Sequence, residues 1–508
     1  MKRAMIEAKK RILVIGLDGA CMDLIKAWAD DGKLSTFEQL MKEGSYGYLE
    51  SVTPPLTIPA WNCLASGKNP GKIGHYSFLQ KAPGSYDFRV YLSLVKKERD
   101  IWDILSDYGR KVFVFNAPNI LYAYKINGYM VAGFLCPSEK NLAYPKSLME
   151  VLYSSGYVEG EKDAVRFLTA SDSERSKMLK EQTEKQCKIL FHLLSKDWDF
   201  GFVVFQELDG IQHRLWHRKD IVLRHYQHID KKLKQILEKL EGEENETEII
   251  IVSDHGFGPN NRMFLINEWL SREGFLKIRR GISFEVINML IRTVKGSNAL
   301  KIFRMMTKIP CLMPLCQRLF LQSVKTPVIW DETRAFSYSN WGLIYINLEG
   351  REPEGTVKKE EYERLRDEII EKLRKISVRA YKKEEIYHGK YLDLAPDIVI
   401  EIDNYVNSVN GKVGYNKIFM PGFPQTGYHS KNNGTFIAWG SNIKRNFEVN
   451  VRIYDIAPTI LYMFGLPIPR DVDGRILKEI FKDNAKIQKD EKRRIKEKIN
   501  ALKREEKV

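Results

Sequence analysis

Apolar residues in this chain follow two patterns. Runs of strand length without polar alternation recur as RILVIGLD (11–18), KVFVFNAP (111–118), DFGFVVFQELD (199–209), EIIIVSD (248–254), APDIVIEI (395–402) and GTFIAWG (434–440). Continuous Val/Ile/Phe runs predict strands covered on both faces, because a half-exposed strand would alternate. Between them lie amphipathic segments of helical period, chiefly 172–197 and 219–240. Strands alternating with helices predict an α/β fold around a mainly parallel sheet. No internal repeat is found.

Two stretches depart from that pattern. Residues 271–325 mix Met, Leu, Ile and Phe with Arg and Lys and carry no strand signal, which predicts two or three inserted helices. They form either a helical cap on the core or a helix for a membrane surface or partner. From residue 478 to 508, charges of both signs surround sparse apolar positions, predicting a solvated, partly helical tail.

Charge follows the same division. The formal net charge is +15 over 508 residues, but 271–325 carries +9 and 478–508 carries +5, leaving the body near neutral. A near-neutral body excludes a uniformly polyanion-binding protein. The insert is poor in Tyr and Trp, so it lacks the stacking residues of nucleic-acid sites, and no nucleic-acid partner is expected. Its cations, among them Arg280, Arg292, Lys295 and Arg304, are interleaved with apolar residues, as in helices that lie on anionic lipid. Peripheral contact with an anionic membrane surface therefore stands beside the cap as an expectation.

The 44% hydrophobic and 11% aromatic fractions are those of a globular protein. No apolar run reaches the roughly 18 residues that span a bilayer. The basic start MKRAMIEAKKR lacks a secretory cleavage pattern. Cys21, Cys63, Cys136, Cys187, Cys311 and Cys316 form no CxxC pair, so neither a zinc ribbon nor a disulfide framework is indicated. A reduced cytoplasmic protein is expected.

Candidate chemistry lies where the apolar runs stop. RILVIGL ends at Asp18, DFGFVVFQEL at Asp209 and EIIIVS at Asp254. The carboxyl ends of parallel strands share one edge, where ligands bind, so three carboxylates converge there. His213 follows Asp209 by four residues, and His255 follows Asp254 directly. His429, in QTGYHSKNNG, reads as a residue of a polar, glycine-flanked loop. Oxygen and nitrogen donors of this kind suit Zn, Mn or Fe. Thr57, two residues before Pro59 in LTIPAW, either caps a helix or presents its hydroxyl to a ligand in the positive field of a helix N-terminus.

Taken in order, VIGLDG (14–19), TIPAW (57–61), SGKNPGKIG (66–74), LDGIQH (208–213), SDHGFG (253–258), TGYH (426–429) and YDIAPTILYMFGLPIPRDVDGR (454–475) resemble the alkaline phosphatase superfamily, type I phosphodiesterase/nucleotide pyrophosphatase branch. The resemblance implies a three-layer α/β/α catalytic domain over 1–477, with 271–325 as its inserted helical cap and 478–508 as its tail. It implies two divalent metal ions, zinc first with Mn or Fe as substitutes. Asp18, Asp254 and His255 would hold one, bridged by Thr57, and Asp209, His213 and His429 the other. Thr57 would be the nucleophile of a phosphate-ester hydrolase acting on a small substrate. A phosphoryl transferase or mutase is the alternative, and a non-catalytic anionic-surface-binding protein the third. One departure stands out: Phe78 occupies the place where this branch carries a phosphate-holding asparagine. No Cys/Ser-x-Pro-x-Arg motif stands at the nucleophile, which disfavours a sulfatase.

Overall fold

The computed structural model describes residues 10–90, 98–157, 170–241, 247–279, 328–338, 340–405, 407–422 and 426–483. Its largest sheet runs Phe447–Glu448, Ser45–Glu50, Gly434–Trp439, Thr247–Val252, Arg11–Leu17, Phe200–Phe205, Val112–Ala117, Gly128–Ala132 and Ala143–Tyr144, with Val451–Arg452 also on Ser45–Glu50. The five strands from Thr247–Val252 to Gly128–Ala132 are mutually parallel. Gly434–Trp439 lies antiparallel to both its neighbours.

The unalternating runs are explained by what covers them. In the central strand, Ile12 and Val14 pack on one face with Trp61, Trp102 and the helix Ile456–Met463. Leu13, Ile15 and Leu17 pack on the other with the helices Asp172–Leu194 and Lys219–Leu240. Successive side chains of a strand point to opposite faces, so a strand between two helical layers must be apolar throughout. The fold is the expected three-layer α/β/α arrangement. Gly16 seats the helix Thr57–Ser66 on that strand: a Cβ there would stand 2.5 Å from the Trp61 ring.

One predicted strand belongs elsewhere. APDIVIEI supplies Ile398–Glu401, which pairs antiparallel with Leu343–Ile346 and Arg379–Lys382 in a separate four-stranded sheet. That sheet and the helix Tyr362–Lys375 form a third hydrophobic cluster through Leu365, Ile369, Ile398 and Ile400. An apolar run reports burial on both faces and says nothing of which sheet provides it.

Ile278 and Val328 pair across an antiparallel bridge, so the chain leaves and re-enters this lobe at adjacent points. Residues 280–327, most of the expected helical insert, lie outside the described residues, as do 484–508. The packed core runs past the boundary expected at 478, because Ile480 and Phe481 are buried against the main cluster. Among the described residues, no helix is long and apolar enough to cross a membrane.

Candidate active site

The expected ligands arrive from four places in the fold. Asp18 follows Arg11–Leu17, and Asp254 stands two residues beyond its parallel neighbour Thr247–Val252. The amide of Gly19 donates to Asp254 Oδ1 at 3.1 Å, tying the two strand ends together. Gly19 has φ +69, and a Cβ there would meet the Phe257 ring at 2.8 Å and Asp209 Cα at 3.3 Å. Only glycine lets this turn approach the second group of ligands so closely.

Asp209 is not at a strand end. The strand stops at Phe205, and Asp209 lies in the first turn of the helix Glu207–Leu215, where the helix dipole favours a carboxylate. His213 is one turn on, with Nε2 3.3 Å from Asp209 Oδ1. His429 is not in an exposed loop either: it sits in the strand Gly427–Ser430, 3% exposed. That strand is antiparallel to Gly256–Pro259, with His429 opposite Phe257. The pairing stacks His429 on His255, ring centroids 3.6 Å apart.

The imidazoles are oriented by the backbone. His429 Nδ1 donates to Pro55 O at 2.7 Å, His255 Nδ1 to Gly256 O at 3.1 Å and His213 Nδ1 to Gly427 O at 3.3 Å. Each Nε2 is thereby left as a lone-pair donor, the arrangement that surrounds metal-binding histidines. His213 Nε2 and His429 Nε2 are 3.0 Å apart, and His429 Nε2 is 3.5 Å from Asp209 Oδ1. His255 Nε2 lies 3.3 Å from Asp254 Oδ2 and 3.7 Å from Asp18 Oδ1. These spacings are close to the ~3.4 Å tetrahedral edge set by ligand distances of about 2.1 Å. Asp18–Asp254–His255 and Asp209–His255–His429 each place one donor atom per residue within 4.8 Å of one another. His255 therefore faces both groups.

The chemistry of these atoms fits divalent cations. Asp18 Oδ1, Asp209 Oδ1, Asp254 Oδ2 and His255 Nε2 are buried without a hydrogen-bond partner. Burial, then the Asp254 and Asp209 charges, hold the Asp18 carboxyl well above its ordinary range. Burial and Asp209 likewise raise Asp254, against the Gly19 amide. Burial, then His429, push His255 well below the usual imidazole range. Asp209 is held well below the carboxylate range, since His213 and His429 outweigh its burial. A buried cluster of three carboxylates needs positive charge to remain ionised, and bound cations supply it.

Thr57 faces this cluster. It is the first residue of the helix Thr57–Ser66, with Leu56 at the N-cap and no side-chain capping bond. Its hydroxyl is in no hydrogen bond among the described residues, and Thr57, 5% exposed, lines a cavity of 640 Å³ together with Asp18, Asp209, His213 and His429. Phe78 lines the same cavity, its ring 5.7 Å from that of Trp341. Other lining residues had no motif to mark them: Asn116, Tyr157, Gln182, Gln186 and Gln206. A weak signal existed, since Asn116 ends an apolar run as the aspartates do, and Gln182 and Gln186 are spaced one helical turn apart.

No curated protein sequence matches the chain. Murine ectonucleotide pyrophosphatase/phosphodiesterase 5 has a similar structure at 14% identity and a TM-score of 0.54, covering 93% of this chain and 100% of that one. Phosphonoacetate hydrolase from Sinorhizobium meliloti 1021 is similar at 13% identity and a TM-score of 0.54, over 89% and 94% of the two chains. At such identities the likeness concerns the fold. The sequence profile of "Type I phosphodiesterase / nucleotide pyrophosphatase" matches residues 12–424. With that profile spanning most of the chain, the protein belongs to the type I phosphodiesterase/nucleotide pyrophosphatase family of the alkaline phosphatase superfamily, an enzyme of the phosphoric ester hydrolase class.

Proposed function

We propose that this chain is a two-metal-dependent hydrolase of small phosphate esters that uses Thr57 as its nucleophile. The observation that carries the reading is the uncapped Thr57 hydroxyl at a helix N-terminus, opening on a cavity it shares with Asp18, Asp209, His213 and His429. Asp18, Asp254 and His255 would hold one cation, and Asp209, His213 and His429 the other, zinc being the first choice for this donor set. Bound there, the cations would lower the pKa of a nearby hydroxyl and balance charge on phosphoryl oxygens.

The residues of the chain do the remaining work. The field at the N-terminus of Thr57–Ser66 favours negative charge on Thr57 Oγ1. Oγ1 bonds to phosphorus as the ester oxygen leaves with its alcohol, and water then cleaves the phosphothreonine, regenerating Thr57 and releasing the phosphate. His429, fixed through Pro55, ties the ligand cluster to the loop that presents Thr57. Four described cysteines are free thiols, which supports a cytoplasmic setting.

The test is turnover of p-nitrophenyl phosphate and bis-p-nitrophenyl phosphate after exhaustive chelation and after Zn²⁺ or Mn²⁺ add-back. Activity should vanish and return. Full activity in verified metal-free protein overturns the reading, and release of phosphate to an added alcohol rather than to water would favour the transferase alternative.

A further inference from the structure

The cavity that opens on Thr57 has a second chemistry away from the metal-ligand cluster. Asn116, held at φ +60 at the edge of the strand Val112–Ala117, donates from Nδ2 to Val204 O at 2.7 Å and to Gln206 Oε1 at 2.8 Å. The Tyr157 hydroxyl donates to Asn116 Oδ1 at 3.2 Å. Gln186 Nε2 donates to Gln206 Oε1 at 3.4 Å. Gln206 Oε1 is thus used twice, while its Nε2 is buried without an acceptor. Gln182, one turn before Gln186 on the helix Asp172–Leu194, lines the same cavity, and its side chain is in no hydrogen bond among the described residues.

Aromatic faces complete the lining: Phe78 and Trp341, tilted 31° to each other, and Phe134, 52% exposed. Beyond the ligand cluster, the only charged residue among the described lining is the exposed Glu139, and no Lys or Arg is present. Spare amide groups and aromatic faces suit a group with hydroxyls on one side and C–H on the other. Among the described lining residues, a second phosphate or carboxylate would find no Lys or Arg and would face Glu139. An alkyl group would leave Gln206 Nε2 unsatisfied, and sites built to hydrogen-bond a hydroxyl reject analogues that lack it.

We propose that this wall receives the second ester group of the substrate and selects a neutral, hydroxyl-rich moiety, such as a polyol or sugar. Gln206 and Gln182 are its specificity-determining residues. The proposal rests on the phosphate-ester reading and narrows its substrate class.

Three p-nitrophenyl phosphodiesters test it, sharing the reporter group and differing in the second ester: methyl, glyceryl or phosphoglyceryl. With metal-loaded full-length protein, kcat/KM for the glyceryl ester should exceed both others by roughly tenfold or more. Gln206→Leu should narrow the glyceryl-to-methyl ratio several-fold. Gln182→Leu, on a half-exposed helix position where folding is not at stake, should do the same. Equal or better turnover of the methyl or phosphoglyceryl ester overturns the proposal while leaving the hydrolase reading intact. A ratio that neither substitution moves overturns the assignment to the glutamines. No turnover of any ester, p-nitrophenyl phosphate included, overturns the hydrolase reading and this proposal with it.

Discussion

A threonine that begins a helix two residues before a proline has two ordinary uses, and the geometry at Thr57 separates them. With Leu56 at the N-cap and the Thr57 hydroxyl in no hydrogen bond among the described residues, removing the hydroxyl costs the helix little. Thr57→Ala should therefore change stability by less than the ~1 kcal/mol typical of a lost cap, read from urea unfolding. Phosphate-ester turnover should fall by roughly three orders of magnitude or more, with Thr57→Ser retaining part of it. An alanine variant of full activity would refute the covalent route. Gly19 makes the complementary point: its missing side chain lets the Asp18 turn lie against Phe257 and the backbone of Asp209.

Among the elements, the helix Glu207–Leu215 matters most, because it carries both Asp209 and His213. It is anchored from behind. Glu207 accepts from His225 Nδ1 at 2.6 Å and from His228 Nδ1 at 2.8 Å, both on Lys219–Leu240. His225 also meets Ser176, and His228 meets Glu184, on Asp172–Leu194. Burial would raise the Glu207 carboxyl, yet the two imidazoles hold it down at about 2, against 4.5 in the unfolded chain. A carboxylate depressed in the folded state adds stability that is full above the unfolded value and lost as pH falls toward the folded one. Glu207→Gln should thus cost about 3 kcal/mol at pH 7, and the gap from wild type should close between pH 4.5 and pH 2. Urea titrations across that range check it. A gap independent of pH would show that packing, not the charge, supplies the stability.

At the scale of the molecule, charge is segregated: +9 of the net +15 lies in residues 271–325. Ile278 and Val328 pair directly, so a short turn can join the chain across residues 280–327. Membrane docking through the insert remains a proposal, and this deletion tests it. The intact chain should sediment with anionic vesicles at low salt and not with neutral ones, the attraction weakening as the Debye length shrinks. The deletion variant should stay in solution. Equal sedimentation of both, or none by the intact chain at low ionic strength, would leave the segment only its role as a cap.

What the sequence determined by itself follows from local physics. Unalternating runs such as RILVIGL and EIIIV announce strands buried on two faces, and ordered motifs around Asp18, Thr57, Asp254 and His255 announce the family. Tertiary structure alone decided three things. It put Ile398–Glu401 into a second sheet, because burial pattern does not name its partner strand. It turned His429 from a polar-loop residue into a buried strand residue, because the pairing of Gly427–Ser430 with Gly256–Pro259 is long-range. And it gathered Asn116, Gln186 and Gln206 into one amide wall of the cavity that Thr57 lines. Those residues are far apart in the chain and ordinary in type, so only the fold, by bringing strand end and helix face together, places them on a common cavity.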